Sequence, residues 1–403
     1  MQPSRLALCG LAAVVACSLA PPAHAQQAAD DAAVAPFTIE VPEAVLTDLR
    51  ARLEATRFPD EIDDADWDYG TPLAYLRELI EYWRDEFDWR TQERRLNELD
   101  QFKTTIDGLD IHFIHQRSPH AEAFPLLLLN GWPSSIDEYA KVIGPLTDPV
   151  QFGGSASDAF HVVIPAMPGY GFSDKPRERG FDTGRMADFW VQLMARLGYT
   201  RYAVHGSDWG AGVAAWLARK DPAHIVGVHI VGCEGVLRSA VPLGRTMEQD
   251  GFGYVEIQGT RTQTLGYGLN DSPAGLAAWI VEKYHGWTDH DGDVESVYTK
   301  DELLTNIMIY WVTNSITSAS RIYYESRHGP GRPQDRPAMP TGCAAFVERY
   351  DRRARTGPEA RQVAEQRYNV ARWTDMPRGG HFPALETPEL WLDDLRAFFA
   401  DLR

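Results

Sequence analysis

Cysteine is scarce: four occur in 403 residues, and two of these, Cys9 and Cys17, fall within the first 25 positions. Cys233 and Cys343 alone cannot make a disulfide framework or a thiolate metal site; one bridge between them is permitted but not implied. Positive charge is also in deficit, with Lys+Arg 39 against Asp+Glu 57 and a net charge of −18. A nucleic-acid phosphate surface or an anionic headgroup layer would repel such a chain. Internal repeats are missing, and 44% hydrophobic, 11% aromatic and 24% charged residues exclude disorder, collagen and coiled coil. What remains is a globular protein long enough to bury roughly three quarters of its unfolded surface without covalent staples.

The apolar stretch Leu6 to Ala20 follows Arg5 and precedes Ala23-His24-Ala25, a small-x-small cleavage form. It is shorter than the ~20 residues a membrane span needs and runs into Pro21-Pro22. Residues 1–25 therefore read as a secretory signal, with a periplasmic or secreted mature chain that keeps no membrane span. A lipoprotein anchored at Cys17 is the weaker form of export, because the box Val14-Val15-Ala16 lacks the usual Leu.

Residues 26–36 carry no apolar period and form a flexible lead-in. Val45, Leu46, Leu49 and Leu53, then Leu73, Leu76, Leu79, Ile80 and Trp83, recur at helical spacing, so 37–100 is a helical N-terminal unit. Strands follow at Phe102 to Ile106, Leu109 to His115, Phe124 to Leu129, His161 to Ile164 and Tyr202 to Val204, with helices such as Met186 to Leu197 between. An unbroken run such as Phe124 to Leu129 suits a strand buried on both faces of a parallel sheet. The alternation predicts a doubly wound α/β sheet whose first part spans 101–235. Between 236 and 339 aromatic-rich helical stretches, Leu276 to Tyr284 and Leu303 to Tyr323, read as a lid inserted above the sheet. Residues 340–403 return to the core, with a strand at Tyr368 to Trp373, a loop at Gly379-Gly380-His381 and a closing helix, Leu390 to Leu402.

Chemistry concentrates at Tyr202-Ala203-Val204-His205-Gly206-Ser207-Asp208-Trp209-Gly210. A strand, a Gly-x-Asp-x-Gly turn and a helix make a nucleophile elbow, whose strained middle residue is presented at a helix N-terminus. That residue is Asp208, and a carboxylate there attacks saturated carbon to form an ester that water cleaves at the carbonyl. A helix cap would need no flanking glycines, and Ser207 lies one position off the tip. Asn130-Gly131-Trp132-Pro133, directly after a buried strand, stands where backbone amides of Trp132 and Trp209 would face an oxyanion. His381 follows in the order nucleophile, acid, base. Asp289 to Glu295 departs from calcium-loop spacing and reads as a solvated acidic turn. His285 and His290 lack ligand-spaced partners, and Trp279, Trp287, Tyr310 and Trp311 read as lid packing or pocket lining.

From Phe37 to Arg403 the sequence resembles the microsomal-type epoxide hydrolases. The shared stretches are Asn130 to Pro133, Pro168 to Ser173, Gly206 to Gly210, Leu269 to Ala277, Leu304 to Trp311 and Arg378 to Phe382. The resemblance implies an α/β-hydrolase fold with a helical lid and an N-terminal helical domain. It implies conversion of a small apolar epoxide and water to a vicinal diol through an ester on Asp208, without cofactor or metal. His381 would be the base, and the two lid tyrosines that polarise the epoxide oxygen fall on Tyr254 and Tyr323, with Tyr324 the neighbouring choice. Asn130 stands where the family has His, leaving the backbone role of Trp132 intact. The acid partner of His381 falls on Glu348, one residue early after Pro340-Thr341-Gly342, with Asp351 next. A haloalkane dehalogenase also uses an Asp-Trp elbow, but without the tyrosine pair and the N-terminal unit; a catalytically silent ligand-binding protein is the rival of a different class. A homo-oligomer is left open.

Overall fold

A computed structural model describes residues 33–233, 251–329, 335–347 and 356–403. Residues 1–25, expected to be a signal, and both acid candidates, Glu348 and Asp351, lie outside the described residues. In chain order the helices are α1 (Glu43–Glu54), α2 (Leu73–Asp85), α3 (Trp89–Leu96), α4 (Ile143–Thr147), α5 (Thr183–Arg196), α6 (Asp208–Lys220), α7 (Gly253–Gln258), α8 (Thr262–Asp271), α9 (Pro273–Trp287), α10 (Lys300–Val312), α11 (Ile316–His328), α12 (Gly357–Arg367), α13 (Pro383–Glu386) and α14 (Pro388–Phe399). The strands are β1 (Ala35–Pro36), β2 (Gln101–Ile106), β3 (Leu109–Gln116), β4 (Phe124–Leu129), β5 (Phe160–Pro165), β6 (Tyr202–Gly206), β7 (Ile225–Val231), β8 (Pro340–Ala345) and β9 (Asn369–Asp375).

The nine strands among the described residues join one sheet in the order β1-β2-β3-β5-β4-β6-β7-β8-β9. Pairings from β5 through β9 are parallel, and β1 to β3 add an antiparallel edge. Leu126, Leu127, Leu128 and Leu129 are 0–1% exposed, as expected of a central parallel strand covered on both faces. The sheet returns through β7 and β8, which carry Gly227 and Gly342 opposite the side chain of Phe398. Their glycine content hides them from strand propensity, yet it lets α14 pack closely on the sheet.

The stretch Leu303 to Tyr323 is two helices. Asn314 takes a left-handed φ of 50°, a conformation asparagine tolerates at a helix terminus, and the chain turns there before α11. α10 opens with a capping box between Thr299 and Glu302, which satisfies orphan amides at its start.

The N-terminal unit braces the lid. α2 buries Leu76, Leu79, Ile80 and Trp83. Outside that apolar stripe, Tyr82 donates to Asp301 at 2.9 Å, Thr71 donates to the Ala278 carbonyl at 2.8 Å, and the Trp67 ring stacks on His285 at 3.6 Å. At the base of the lid Cys233, just past β7, is disulfide-bonded to Cys343 in β8, at a Cα separation of 5.7 Å. The bridge joins adjacent strands on either side of the insertion.

Candidate active site

The end of β6 and the start of α6 meet at Asp208, whose φ is 50°. A side chain in this region is strained and survives only where its surroundings hold it. The flanking glycines are sterically required: a Cβ on Gly206 would come within 2.4 Å of the Gly210 carbonyl oxygen, and one on Gly210 within 2.0 Å of the Leu129 carbonyl oxygen. The elbow thus follows from close packing of α6 against the ends of β4 and β6.

β4 delivers the opposing turn. The Trp132 amide donates to Asp208 Oδ1 at 2.8 Å, and a Cβ on Gly131 would lie 2.0 Å from that same oxygen. The Asn130 side chain points back into its own turn, donating to the Gly131 carbonyl at 3.2 Å and to Ser134 Oγ at 3.3 Å. The lid holds this turn from above, with Asn306 donating to the Pro133 carbonyl at 2.8 Å and Tyr310 to the Ser134 carbonyl at 2.7 Å. Tyr310 is therefore an anchor between lid and core.

His381 lies on the loop after β9. Its amide donates to the Trp287 carbonyl at 2.9 Å, its ring packs 4.6 Å from that of Trp287, and its Nε2 is 3.6 Å from Asp208 Oδ2. Glu386 shapes the loop by accepting from the amides of Gly380 at 2.7 Å, Phe382 at 2.8 Å and Asp289 at 3.0 Å. Asp289, from the acidic turn, in turn accepts from the Gly379 amide at 2.9 Å; that residue is a structural tie as well as part of a solvated turn.

Tyr254 on α7 stacks on Trp132 at 5.3 Å, and Tyr323 on α11 meets the edges of Trp132 at 5.7 Å and Trp209 at 4.7 Å. The two phenol rings are 5.7 Å apart. The Tyr323 hydroxyl is buried with no acceptor among the described residues, a state that invites a polar ligand. Burial, then the neighbouring Tyr254 and Asp208, pushes its pKa well above the ordinary phenol value, so it stays protonated. Tyr324 half-emerges and stacks on His328 at 4.0 Å. The structure brings together Asp208, His381, Tyr254, Tyr323 and Trp132; the Trp209 ring lines the same space.

One buried carboxylate of this site escapes sequence reasoning. Glu138, in the turn after Ser135, accepts from Ser207 Oγ at 3.0 Å and is bonded to Ser134 Oγ. It ties Ser207, the residue before Asp208, to the turn bearing Trp132. Burial raises its pKa to about 7, opposed by both serine hydrogen bonds and by the charge of His381. Glu386 is likewise raised to about 7 by burial against its three backbone donors. Charged residues at such positions read as solvent-facing, and only three-dimensional packing takes their carboxylates out of water.

A carboxylate with one oxygen held by an amide, the other beside an imidazole, and two phenols nearby can attack an electrophilic carbon and then be freed by activated water. Comparison with known proteins identifies the family. The family described as Epoxide hydrolase N terminus matches residues 34–139, and that described as alpha/beta hydrolase fold matches residues 125–265. A putative epoxide hydrolase of Stigmatella aurantiaca is 44% identical over 383 residues, 92% of this chain and 86% of that protein. Epoxide hydrolase 1 of Sus scrofa is 37% identical over 419 residues, 94% of this chain and 91% of its own length. The crystal structure of juvenile hormone epoxide hydrolase from Bombyx mori superposes with a TM-score of 0.82 at 32% identity, covering 95% of this chain and 97% of that one. Aspergillus niger epoxide hydrolase gives 0.78 at 30% identity, covering 92% and 97%. With the elbow aspartate, the two-part core and these relatives in view, this chain belongs to the epoxide hydrolase family.

Proposed function

We propose that Asp208 opens an epoxide through Oδ2 while Tyr254 and Tyr323 hold the epoxide oxygen. The Asp208 Oδ2–carbon bond forms as the carbon–oxygen bond of the ring breaks, and the departing alkoxide takes a proton from a phenol. Oδ1, held by the Trp132 amide, becomes the ester carbonyl oxygen. Water then gives a proton to His381 and attacks the ester carbon; the oxyanion forms on Oδ1, facing the amides of Trp132 and Trp209. Collapse breaks the ester carbon–oxygen bond: the leaving oxygen, which came from Asp208, takes the proton from the imidazolium to complete the vicinal diol, and the proton of the new Asp208 carboxyl returns to the phenolate. Glu348, with Asp351 the next choice, steadies the imidazolium.

The observation that carries this reading is the division of labour at one carboxylate: the Trp132 amide lies 2.8 Å from Oδ1, and His381 Nε2 lies 3.6 Å from Oδ2. The aromatic walls formed by Trp132, Trp209, Trp287, Tyr254 and Tyr323 favour an apolar epoxide. Single turnover of styrene oxide in heavy-oxygen water tests the path, since label must enter the Asp208 carboxylate. Label confined to the diol would refute it.

The reading includes export. The signal pattern at 1–25 supports it, and so does the bridge between Cys233 and Cys343, which persists in an oxidising compartment. Cell fractionation with N-terminal sequencing checks it, with Gln26 the expected first residue.

A further inference from the structure

Lys283 has no place in the mechanism above, yet it is 3% exposed and sits inside an aromatic cage. Its ammonium lies 4.4 Å from the centroid of the Tyr254 ring and 5.9 Å from those of Trp279 and Trp287. Trp279, Lys283 and Trp287 are four residues apart on α9 and so share one face of that helix. The helix continues to the Trp287 carbonyl that holds the His381 amide. Glu282 pairs with the ammonium and keeps its own side chain partly in water. An unbranched apolar side chain would fill this cage without the cost of desolvating a charge. The geometry therefore asks what the charge does.

We propose that Lys283 is a positioning residue that acts through Tyr254: its positive charge over the ring makes the phenol a stronger hydrogen-bond donor to the epoxide oxygen and speeds formation of the ester. A cation facing a π system is attracted to its electron density. That attraction grows as the phenol gives up its proton and negative charge spreads into the ring. The stabilisation is thus greater in the transition state of ring opening than in the ground state, which is the condition for accelerating it. Hydrolysis of the ester involves no proton from Tyr254 and gains nothing.

This inference rests on the donor role proposed for Tyr254, and the two can fail separately. Rapid mixing of the full-length protein with styrene oxide, followed by tryptophan fluorescence, resolves ester formation from ester hydrolysis because Trp132 and Trp209 lie beside Asp208. Lys283→Met should slow ester formation about 10-fold, the scale of a desolvated cation–π contact, and leave ester hydrolysis within about 2-fold of the parent. Lys283→Arg should retain most of the rate. Placing 3-fluorotyrosine, a more acidic phenol of nearly the same shape, at position 254 of the methionine variant should recover a large part of the loss. Lys283→Gln serves as the neutral variant if the methionine protein does not fold. Unchanged ester formation in the neutral variant overturns the proposal. So does a loss that neither arginine nor the fluorinated phenol restores, since that is what simple packing would give. Tyr254→Phe is the control: normal ester formation there would remove the donor role itself, whereas a slow Tyr254→Phe beside a normal Lys283→Met would remove only the inference about Lys283.

Discussion

Replacing Glu138 by glutamine should change how the melting temperature of this protein depends on pH. Glu138 is fully buried, and its carboxyl is raised from 4.5 to about 7, chiefly by desolvation. Between those values the folded state holds the proton more tightly than the unfolded state. Stability is therefore complete below about pH 4.5 and falls as the pH rises through 7. A gap of roughly 2.5 pH units corresponds to about 3 kcal/mol by pH 8. With an unfolding entropy of about 2.1 cal/mol/K per residue, a chain of this size shifts by roughly 4 °C for that energy. Glutamine keeps an acceptor for Ser207 Oγ but carries no charge to bury. At pH 5 the parent already bears about 0.8 kcal/mol of this cost, so the ~1 kcal/mol of an imperfect hydrogen bond should leave the variant melting close to the parent. Its melting temperature relative to the parent should then rise by roughly 3 °C between pH 5 and pH 8. Glu386, also raised to about 7, titrates in both proteins and cancels from the comparison. Scanning calorimetry at four pH values is the assay, and a difference that stays constant from pH 5 to pH 8 would refute the reasoning.

In the same fluorescence experiment, His381→Gln should let the ester accumulate, while Tyr254→Phe combined with Tyr323→Phe should suppress its formation; an accumulating ester in the double phenylalanine variant contradicts the assigned division of roles. Glu348→Gln should lower turnover by roughly 10² through ester hydrolysis, with Asp351→Asn near neutral. An exchange of these two effects would move the partner to Asp351, and full hydrolysis rates in both would remove it from either. Cys233→Ser with Cys343→Ser opens a link between residues 110 apart in sequence. The chain-entropy argument gives ~4.8 kcal/mol for such a loop, or roughly 6 °C; a reductant should lower the melting temperature of the parent similarly and leave the double variant unmoved.

The motifs that can be read along the chain are those in which local backbone geometry dictates residue type. Gly206 and Gly210 are required because a Cβ at either position would enter neighbouring backbone, so the elbow announces itself in five residues. The run Phe124 to Leu129 likewise declares a buried strand, because a central parallel strand has no polar face. Lid and core were separable for the same reason, since the hydrophobic period changes from strand-like to helical and back. The family resemblance added Tyr254 and Tyr323, whose positions on two lid helices carry no local signal of shared purpose.

Long-range packing decided the rest. Gly227 and Gly342 weaken the strand signal of β7 and β8, yet both face Phe398 on the closing helix. Whether Cys233 and Cys343 could bond depended on those two strands being neighbours. The break at Asn314 needed a left-handed residue that asparagine permits but does not announce. Glu138, Glu386 and Lys283 look like ordinary surface charges in sequence, because a charge is informative only once its burial is known. The sequence by itself determined the elbow at Asp208 and the order of elements that presents its carboxylate. Tertiary packing determined which other charges surround that carboxylate, because desolvation and the distance between charges belong to the folded chain and to no local segment of it.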